Sequence, residues 1–266
     1  MTAGRRVWWG DYRTSEYASI DPETTIAVLP VAAIEQHGPH LPLSTDTAIM
    51  EGMLATAIAL LPDDLDVRIL PVQAVGKSNE HVRQAGTLTL TPLAAIQSWA
   101  DLGASVARAG VKKIVFVNSH GGNEEVIGIV TRELRVAFKM LAVKTSWERF
   151  GRPAGLYSDL ESRHGIHGGD VETSLMLHFR PELVDMGRAA DFVSAVARAE
   201  KEFELLRPTG PHAFAWLAAD LNPDGVVGNA AAATAEKGRL TAEHQAGGFV
   251  RLLKDVRKAK LADYLS

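Results

Sequence analysis

Between Ile34 and Asp46 the sequence reads IEQHGPHLPLSTD, which gathers Glu35, His37, His40 and Asp46 into one short segment. In an extended segment Glu35 and His37 point to the same face, because side chains of a strand repeat every two residues. Gly38-Pro39 then turns the chain, so His40 need not point with them, and Asp46 can return to the same place across a Pro-containing loop. Carboxylate oxygens and imidazole nitrogens together suit Zn2+, Mn2+ or Fe2+. Taken alone, the segment is equally readable as a strand end and helix cap whose polar groups face water.

Three further stretches carry similar residues. In NSHGGNE, His120 is read as a ligand beside the first segment, and Gly121 and Gly122 allow main-chain N–H groups to approach a bound group closely. A phosphate loop is excluded, because its glycine spacing and lysine are absent. HGIHGGDVETS contributes His164, His167, Asp170 and Glu172. A helix starting at Asp170 puts Glu172 in its first turn, where a carboxylate is favoured even without a metal. With a metal, Glu172 completes the ligand set and His167 carries a proton to the leaving group. GKSNEHVRQAGTLTL offers Glu80 and His81 as residues lining a substrate, although a surface loop reads the same way.

Other residues carry less. Trp147 is read as a substrate-facing aromatic on a flap, Trp8 and Trp9 as packing, and His178 and His244 as helix-face residues. His212 is read as a pocket wall or subunit contact. Lys77, Arg83 and Arg163 are the cations to examine if the substrate is anionic.

Alternating elements must position these groups. Residues 24–35, TTIAVLPVAAIE, read as a buried strand after the Asp21-Pro22 turn, and the chemistry begins where it ends. A helix follows, with Asp46 as its cap and Pro62 as its stop, and then a strand over 66–75, with Pro71 placing it at an edge or bend. Thr91 caps the next helix, Pro92 opens it and Gly110 ends it before a buried strand over 111–118. A helix over 124–140 leads to the short strand LAVKT. The stretch 146–169 reads as a loop or flap. A helix capped by Asp170 stops at Arg180-Pro181, and longer helices are expected over 189–206 and 230–261, the last bent at Gly247-Gly248. This pattern predicts an α/β fold whose mostly parallel sheet is covered on both faces, with ligands beyond the carboxyl ends of the strands.

Composition narrows the partners. The 266 residues read as one domain over 1–266, with no repeat, linker or composition break. Lys and Arg total 28 against 32 Asp and Glu, a net charge of −4, so no basic groove is indicated and nucleic acid is not expected. With no cysteine, thiolate ligands and nucleophiles are excluded. No apolar stretch reaches a bilayer span, and no export signal is read, so a cytoplasmic protein without membrane contact is expected.

In EQHGPHLPLSTD, in GKSNEH followed by GTLTL, in VNSHGGN and in HGGDVETS, in that order over nearly the whole chain, the sequence resembles the creatininase family of metal-dependent hydrolases. The resemblance implies a three-layer α/β/α sandwich with two divalent ions, Zn2+ or Mn2+ and in some relatives Fe2+. It implies Glu35, His37, Asp46 and His120 as ligands, with Asp46 as bridge. Creatininase itself carries a further carboxylate two residues after the histidine of the third block, where this chain has Gly122, so Glu172 is expected to complete the set. His167 matches a proton-transfer histidine. His40, Ser78, Glu80, His81, Gly121, Gly122, Asn123 and Trp147 are expected around the substrate or behind the ligands. The implied activity is hydrolysis of a C–N bond in a small cyclic or linear amide by an amidohydrolase. A lactone, or a cyclic keto or diketo compound such as a keto-inositol, is the alternative substrate, and a non-enzymatic metal-binding scaffold the remote one. Many relatives are hexamers, so a homohexamer is the expected assembly.

Overall fold

The computed structural model describes residues 5–264. In chain order these form α1 (Thr14–Tyr17), β1 (Ile26–Val31), α2 (Thr45–Leu60), β2 (Val67–Ile69) and α3 (Pro92–Arg108). Next come β3 (Lys113–Asn118), α4 (Glu124–Phe138), β4 (Leu141–Ser146), α5 (Asp159–His164) and α6 (Asp170–Phe179). The last are β5 (Asp191–Phe192), α7 (Val196–Glu202), α8 (Ala218–Leu221), β6 (Gly228–Asn229), α9 (Ala235–Lys258) and α10 (Leu261–Tyr264).

The main sheet runs β2-β1-β3-β4, and all of its pairings are parallel. Residues of β1 alternate between two cores. Ile26 and Val28 pack with Met50, Met53 and Leu54 of α2 and with Phe249 and Leu253 of α9. Ala27, Leu29 and Val31 pack with Trp99 of α3 and with Ile127 and Leu134 of α4. The result is the expected three-layer α/β/α sandwich, with α2, α6 and α9 on one side and α3 and α4 on the other. Complete burial of a side chain such as Phe116 of β3 stabilises the fold by about 1.5–3 kcal/mol.

This strand order places a switch point between β1 and β3: the chain leaves β1 towards β2, then returns to β3 and continues to β4. A crevice beyond the carboxyl ends of the strands at such a point is where open parallel sheets bind ligands. Pro30 is tolerated within β1 because its carbonyl, and hence its missing N–H, faces β2 where that strand has ended. There the Pro30 carbonyl accepts from the Gln73 amide at 2.9 Å. At the other end of the sheet, buried Lys113 donates to the carbonyls of Glu23, Val256, Arg257 and Ala259 at 2.6–3.1 Å, which ties the end of α9 to the start of β3.

Several expected boundaries move. The first strand stops at Val31, so Glu35 and His37 lie in the loop beyond it and not on a strand face. Ser44 precedes α2 and Gly169 precedes α6, so Asp46 and Asp170 sit inside the first helical turns and are not the caps. The strand over 66–75 shrinks to β2, an edge strand that ends before Pro71. The helix expected over 189–206 is replaced by β5 and the short α7, because Phe192 pairs with Gly228 and packs on Val226 and Ala230. The last long helix runs unbroken through Gly247-Gly248, and the missing side chain at Gly248 is the space that Phe150 fills.

Candidate metal centre

Four segments meet beyond β1 and β3. The GTLTL stretch clamps the first motif: the Leu88 amide donates to the Ile34 carbonyl at 2.9 Å, and the Gln36 amide to Thr87 Oγ1 at 3.2 Å. The same stretch fixes Ser78, whose amide donates to Thr89 Oγ1 at 2.7 Å and whose hydroxyl donates to Glu35 Oε2. Val226 wedges between the two glycine turns of the histidine motifs. Gly38 at φ +73° and Gly168 at φ +65° both adopt a conformation that L residues rarely hold, and a side chain on either would collide with Val226.

The result is a dense, buried set of donors. Glu35 Oε1 lies 3.1 Å from His120 Nδ1, 3.5 Å from His81 Nε2 and 3.6 Å from His167 Nδ1. Asp46 faces His37 Nε2 at 3.5 Å with one oxygen and His120 Nδ1 at 3.6 Å with the other. Glu172 Oε2 is 3.8 Å from His37 Nε2 and accepts from the Gly168 amide at 2.6 Å. Three groupings have donor atoms within 4.8 Å of one another: Glu35, Asp46 and His120; His37, Asp46 and Glu172; and Glu35, His37 and His167. Asp46 is common to the first two, which is the position expected of a bridging carboxylate.

Main-chain carbonyls set which imidazole nitrogen is left with a lone pair. His37 Nδ1 is 3.1 Å from the Glu35 carbonyl, so that nitrogen carries the proton and Nε2 faces the carboxylates. His120 is reversed: Nε2 donates to the Lys77 carbonyl at 3.0 Å, and Nδ1 faces Glu35 and Asp46. His167 Nε2 donates to the Gln36 carbonyl at 2.8 Å, which leaves Nδ1 towards Glu35.

Glu35 Oε1, His37 Nε2 and Asp46 Oδ2 are buried, and no hydrogen bond satisfies them. Orphaned buried polar atoms are costly, and three of them converging with this donor chemistry fit cations. Ionisation tells the same story. Burial pushes Asp46 up to about 6. His37 rises to about 9 despite its burial, because Asp46, Glu172 and Glu35 surround it. Glu35 is held well below the usual carboxylate range against its burial by His120, His167 and His81. Burial drives His81 down to about 3 and His167 to about 4, so both rings are neutral near pH 7.

The remaining expected residues fall into distinct places. His40 stays out of all three groupings: its Nε2 reaches the Gly168 carbonyl at 3.1 Å and Thr173 Oγ1 at 3.0 Å, bracing the turn that carries His167. Asn123 accepts from the Lys77 amide at 2.9 Å and donates to the Ala32 carbonyl at 3.0 Å, linking three segments behind the centre. Gly121 lines a cavity of about 200 Å3 together with His120, Ser146, Glu148, Arg152 and Glu172. Trp147 touches that cavity too, but its ring packs edge-on against Phe249 at 5.0 Å within the core. His167 is buried between the rings of His37 and His81, at 4.2 and 4.3 Å, and does not lie on the cavity wall. Lys77 pairs with Glu80 at 2.6 Å, and Arg83 and Arg163 are exposed away from the cavity.

Three contributors escape a reading of the sequence. Gln36 bonds the Gly225 carbonyl at 2.6 Å and His81 Nδ1 at 2.8 Å, and only its place between Glu35 and His37 hinted at it. Glu161 lies buried among Gly165, Gly169 and Gly228 and accepts from the Asn229 amide at 2.8 Å. Arg152 reaches the cavity from a loop with no motif around it.

Residues 10–253 match the model of the family described as creatininase, creatinine amidohydrolase. The chain belongs to the creatininase family. Among curated family members, the mycofactocin precursor peptide peptidase of Mycobacterium ulcerans is 32% identical over 86% of this chain and 85% of its own length. The peptidase of the same description from Mycolicibacterium smegmatis is 33% identical, over 64% of each chain. The creatinine amidohydrolase of Pseudomonas putida is 29% identical over 94% of this chain and 97% of its own. A solved structure described as creatininase Mn superposes with a TM-score of 0.72 at 25% identity, covering 94% of this chain and 98% of that one.

Proposed function

We propose that this chain is a metal-dependent amidohydrolase that cleaves the C–N bond of a small cyclic or linear amide at a centre of two divalent ions. The observation that carries the reading is the convergence of Glu35 Oε1, His37 Nε2 and Asp46 Oδ2, buried and without hydrogen bonds, beside a polar cavity. Glu35, Asp46 and His120 would hold one ion, and His37, Asp46 and Glu172 the other, with Asp46 between them. Zn2+ and Mn2+ suit such oxygen and imidazole donors, as does Fe2+. Ions bound here supply Lewis acidity towards a carbonyl and make water acidic enough to attack at neutral pH.

The chain's own residues do the rest. Ser78 and the Lys77 carbonyl orient Glu35 and His120, and Gly121 leaves room for a substrate beside His120. His167 is assigned the proton for the departing nitrogen, and because its ring lies off the cavity wall with Nδ1 3.6 Å from Glu35 Oε1, the transfer would run by way of that carboxylate. The His167 ring is neutral at rest, and when protonated it is a strong acid. In the balanced reaction water adds across the amide: its oxygen bonds to the carbonyl carbon, the C–N bond breaks, and the nitrogen leaves as an amine. A linear, peptide-like amide is supported by the mycobacterial relatives named as peptide peptidases and by a second cavity, of about 620 Å3, outside the first.

Among the described residues no helix is long and apolar enough to cross a membrane, and a cytoplasmic location is part of the proposal. So is a homohexamer, supported by exposed Phe203, Leu205, Leu206 and Phe214 in the last third of the chain, and sedimentation velocity tests it. The function itself is tested with Asp46→Ala. Bound metal and amide hydrolysis should vanish together, and retention of both would refute the assignment.

A further inference from the structure

We propose that Arg152 is the anchor for a carboxylate carried by the substrate, so that this enzyme takes a linear amide with an acidic group on the same molecule as the scissile bond. This rests on the amidohydrolase reading and adds a substrate class to it.

Arg152, Glu148 and Ser162 line both the inner cavity of about 200 Å3 and the outer one of about 620 Å3, which puts Arg152 at the neck between them. Among the described residues it is the one Lys or Arg on the inner cavity wall. The other arginine of the outer cavity, Arg149, is taken up by Glu124 at 2.9 Å. Arg152 has no such partner: among the described residues no carboxylate lies within 4.0 Å of it, and its recorded contact is with the Tyr157 ring, whose centroid lies 5.6 Å from the guanidinium carbon. Tyr157 is a firm platform, buried and hydrogen-bonded to Thr241 Oγ1 at 2.8 Å. The neighbouring Glu148 is pushed by burial towards its neutral form, with Glu124 and Glu172 adding to that push and Arg152 opposing it. A planar guanidinium with five unspent N–H donors is the side chain best shaped for a carboxylate.

The inner wall also carries polar side chains held in place by the fold. Gln245 is buried, and its Nε2 donates to the Gly151 carbonyl at 3.2 Å, which fixes the amide orientation and leaves Oε1 without a partner. Ser146 Oγ is likewise buried and unsatisfied. Both residues line the inner cavity. A polar inner wall with a single cation at the neck matches an acylated amino acid or short peptide with a free carboxylate better than a neutral ring.

The test uses the full chain loaded with Mn2+ and two matched probe sets, N-acetyl dipeptides with a free C-terminal carboxylate and the same dipeptides as carboxamides. Binding is read by calorimetry and hydrolysis by amine release, for the wild type, Arg152→Gln and Arg152→Lys. The free acids should bind the wild type at least about tenfold more tightly than the carboxamides, a difference of about 1.4 kcal/mol. Arg152→Gln should erase that preference and raise KM with kcat nearly unchanged, and Arg152→Lys should restore part of it. Equal binding of acids and amides by the wild type, no binding of either, or a preference that survives Arg152→Gln overturns the anchor. An Arg152-dependent acid preference without hydrolysis of either set would uphold the anchor and remove the peptide-amide reading instead.

Discussion

The carboxylate of Glu80 occupies the space that a side chain on Gly122 would need. A Cβ built at Gly122 would overlap both Glu80 Oε1 and His120 Nε2. Where creatininase carries an acidic ligand two residues after its histidine, this chain uses glycine and brings a carboxylate from another segment, on the side of the ring away from Glu35 and Asp46. Glu80 Oε1 lies 3.4 Å from His120 Nε2, and the ring together with Lys77 holds Glu80 at about 2 in spite of its burial.

Gly122→Ala should therefore displace Glu80 or His120 and weaken metal retention by about tenfold or more, in the range seen when groups supporting a ligand are lost. Glu80→Ala should reopen the space. In a double-mutant cycle on metal affinity the two changes should couple by about 0.5–3 kcal/mol, the double variant losing less than the sum of the singles. Strict additivity would mean that Glu80 does not act through this contact.

Metal stoichiometry separates the roles of Asp46 and Glu172. Asp46 belongs to two of the donor groupings proposed to hold ions, and Glu172 to one. Glu172→Gln should reduce bound metal from about two ions per chain to about one, with the remaining ion held by Glu35, Asp46 and His120. Asp46→Asn should deplete both. Elemental analysis of the purified variants decides it, and full occupancy in Glu172→Gln would remove Glu172 from the ligand set.

The reading from sequence succeeded where spacing carries physical meaning. The capped helix from Thr91, the buried strand after it and the parallel sheet follow from local patterns, and the fold then brings Glu35, His37, Asp46, His120 and Glu172 together. Errors lay where a local signal competes with a distant partner. The helical period over 189–206 lost to the pairing of Phe192 with Gly228, and Asp46 and Asp170 resembled caps because carboxylates are common at helix starts, whereas Asp46 turns to the donor set and Asp170 accepts from Ser174 and Lys237. Glu161 and Arg152 carried no signal at all, since no motif surrounds them and their roles depend on a distant segment, Gly228 and Asn229 for Glu161 and the cavity walled by His120 and Glu172 for Arg152.

Glu161 is a case in which a buried carboxylate positions the site without entering it. Its oxygens pack against Gly165, Gly169 and Gly228 in front of the start of α6, and Oε2 accepts from the Asn229 amide. That helix carries Glu172, and the turn before it carries His167. Glu161→Ala leaves the Asn229 amide unpaired and opens a space among the three glycines, and should cost about 1–3 kcal/mol of stability. It should also loosen Glu172, whereas Glu161→Gln, similar in shape and still an acceptor, should recover most of the stability. Denaturant unfolding combined with metal analysis checks both effects.

The ionisation of the donor set makes stability depend on pH in a way that metal should reverse. In chelator-treated protein His37 titrates at about 9, against an ordinary value of 6.5, and His120 is raised in the same direction by Glu35 and Glu80 in spite of its burial. Between about 7.5 and 9 the folded chain holds protons on these rings that the unfolded chain has released, so the free energy of unfolding falls as pH rises through this window. His81 and His167, at about 3 and 4 when folded, are neutral in both states only above about pH 7.5, where the unfolded rings have also released their protons, and Asp46, at about 6, has ionised by then, so above that pH none of them reverses the slope. Metal binding requires the unprotonated rings, and its affinity rises as protons cease to compete. The melting temperature of the chelated protein should fall from about pH 7.5 to 9, whereas that of the Mn2+-loaded protein should hold or rise. Parallel profiles for the two samples would show that His37 and His120 do not exchange protons for metal.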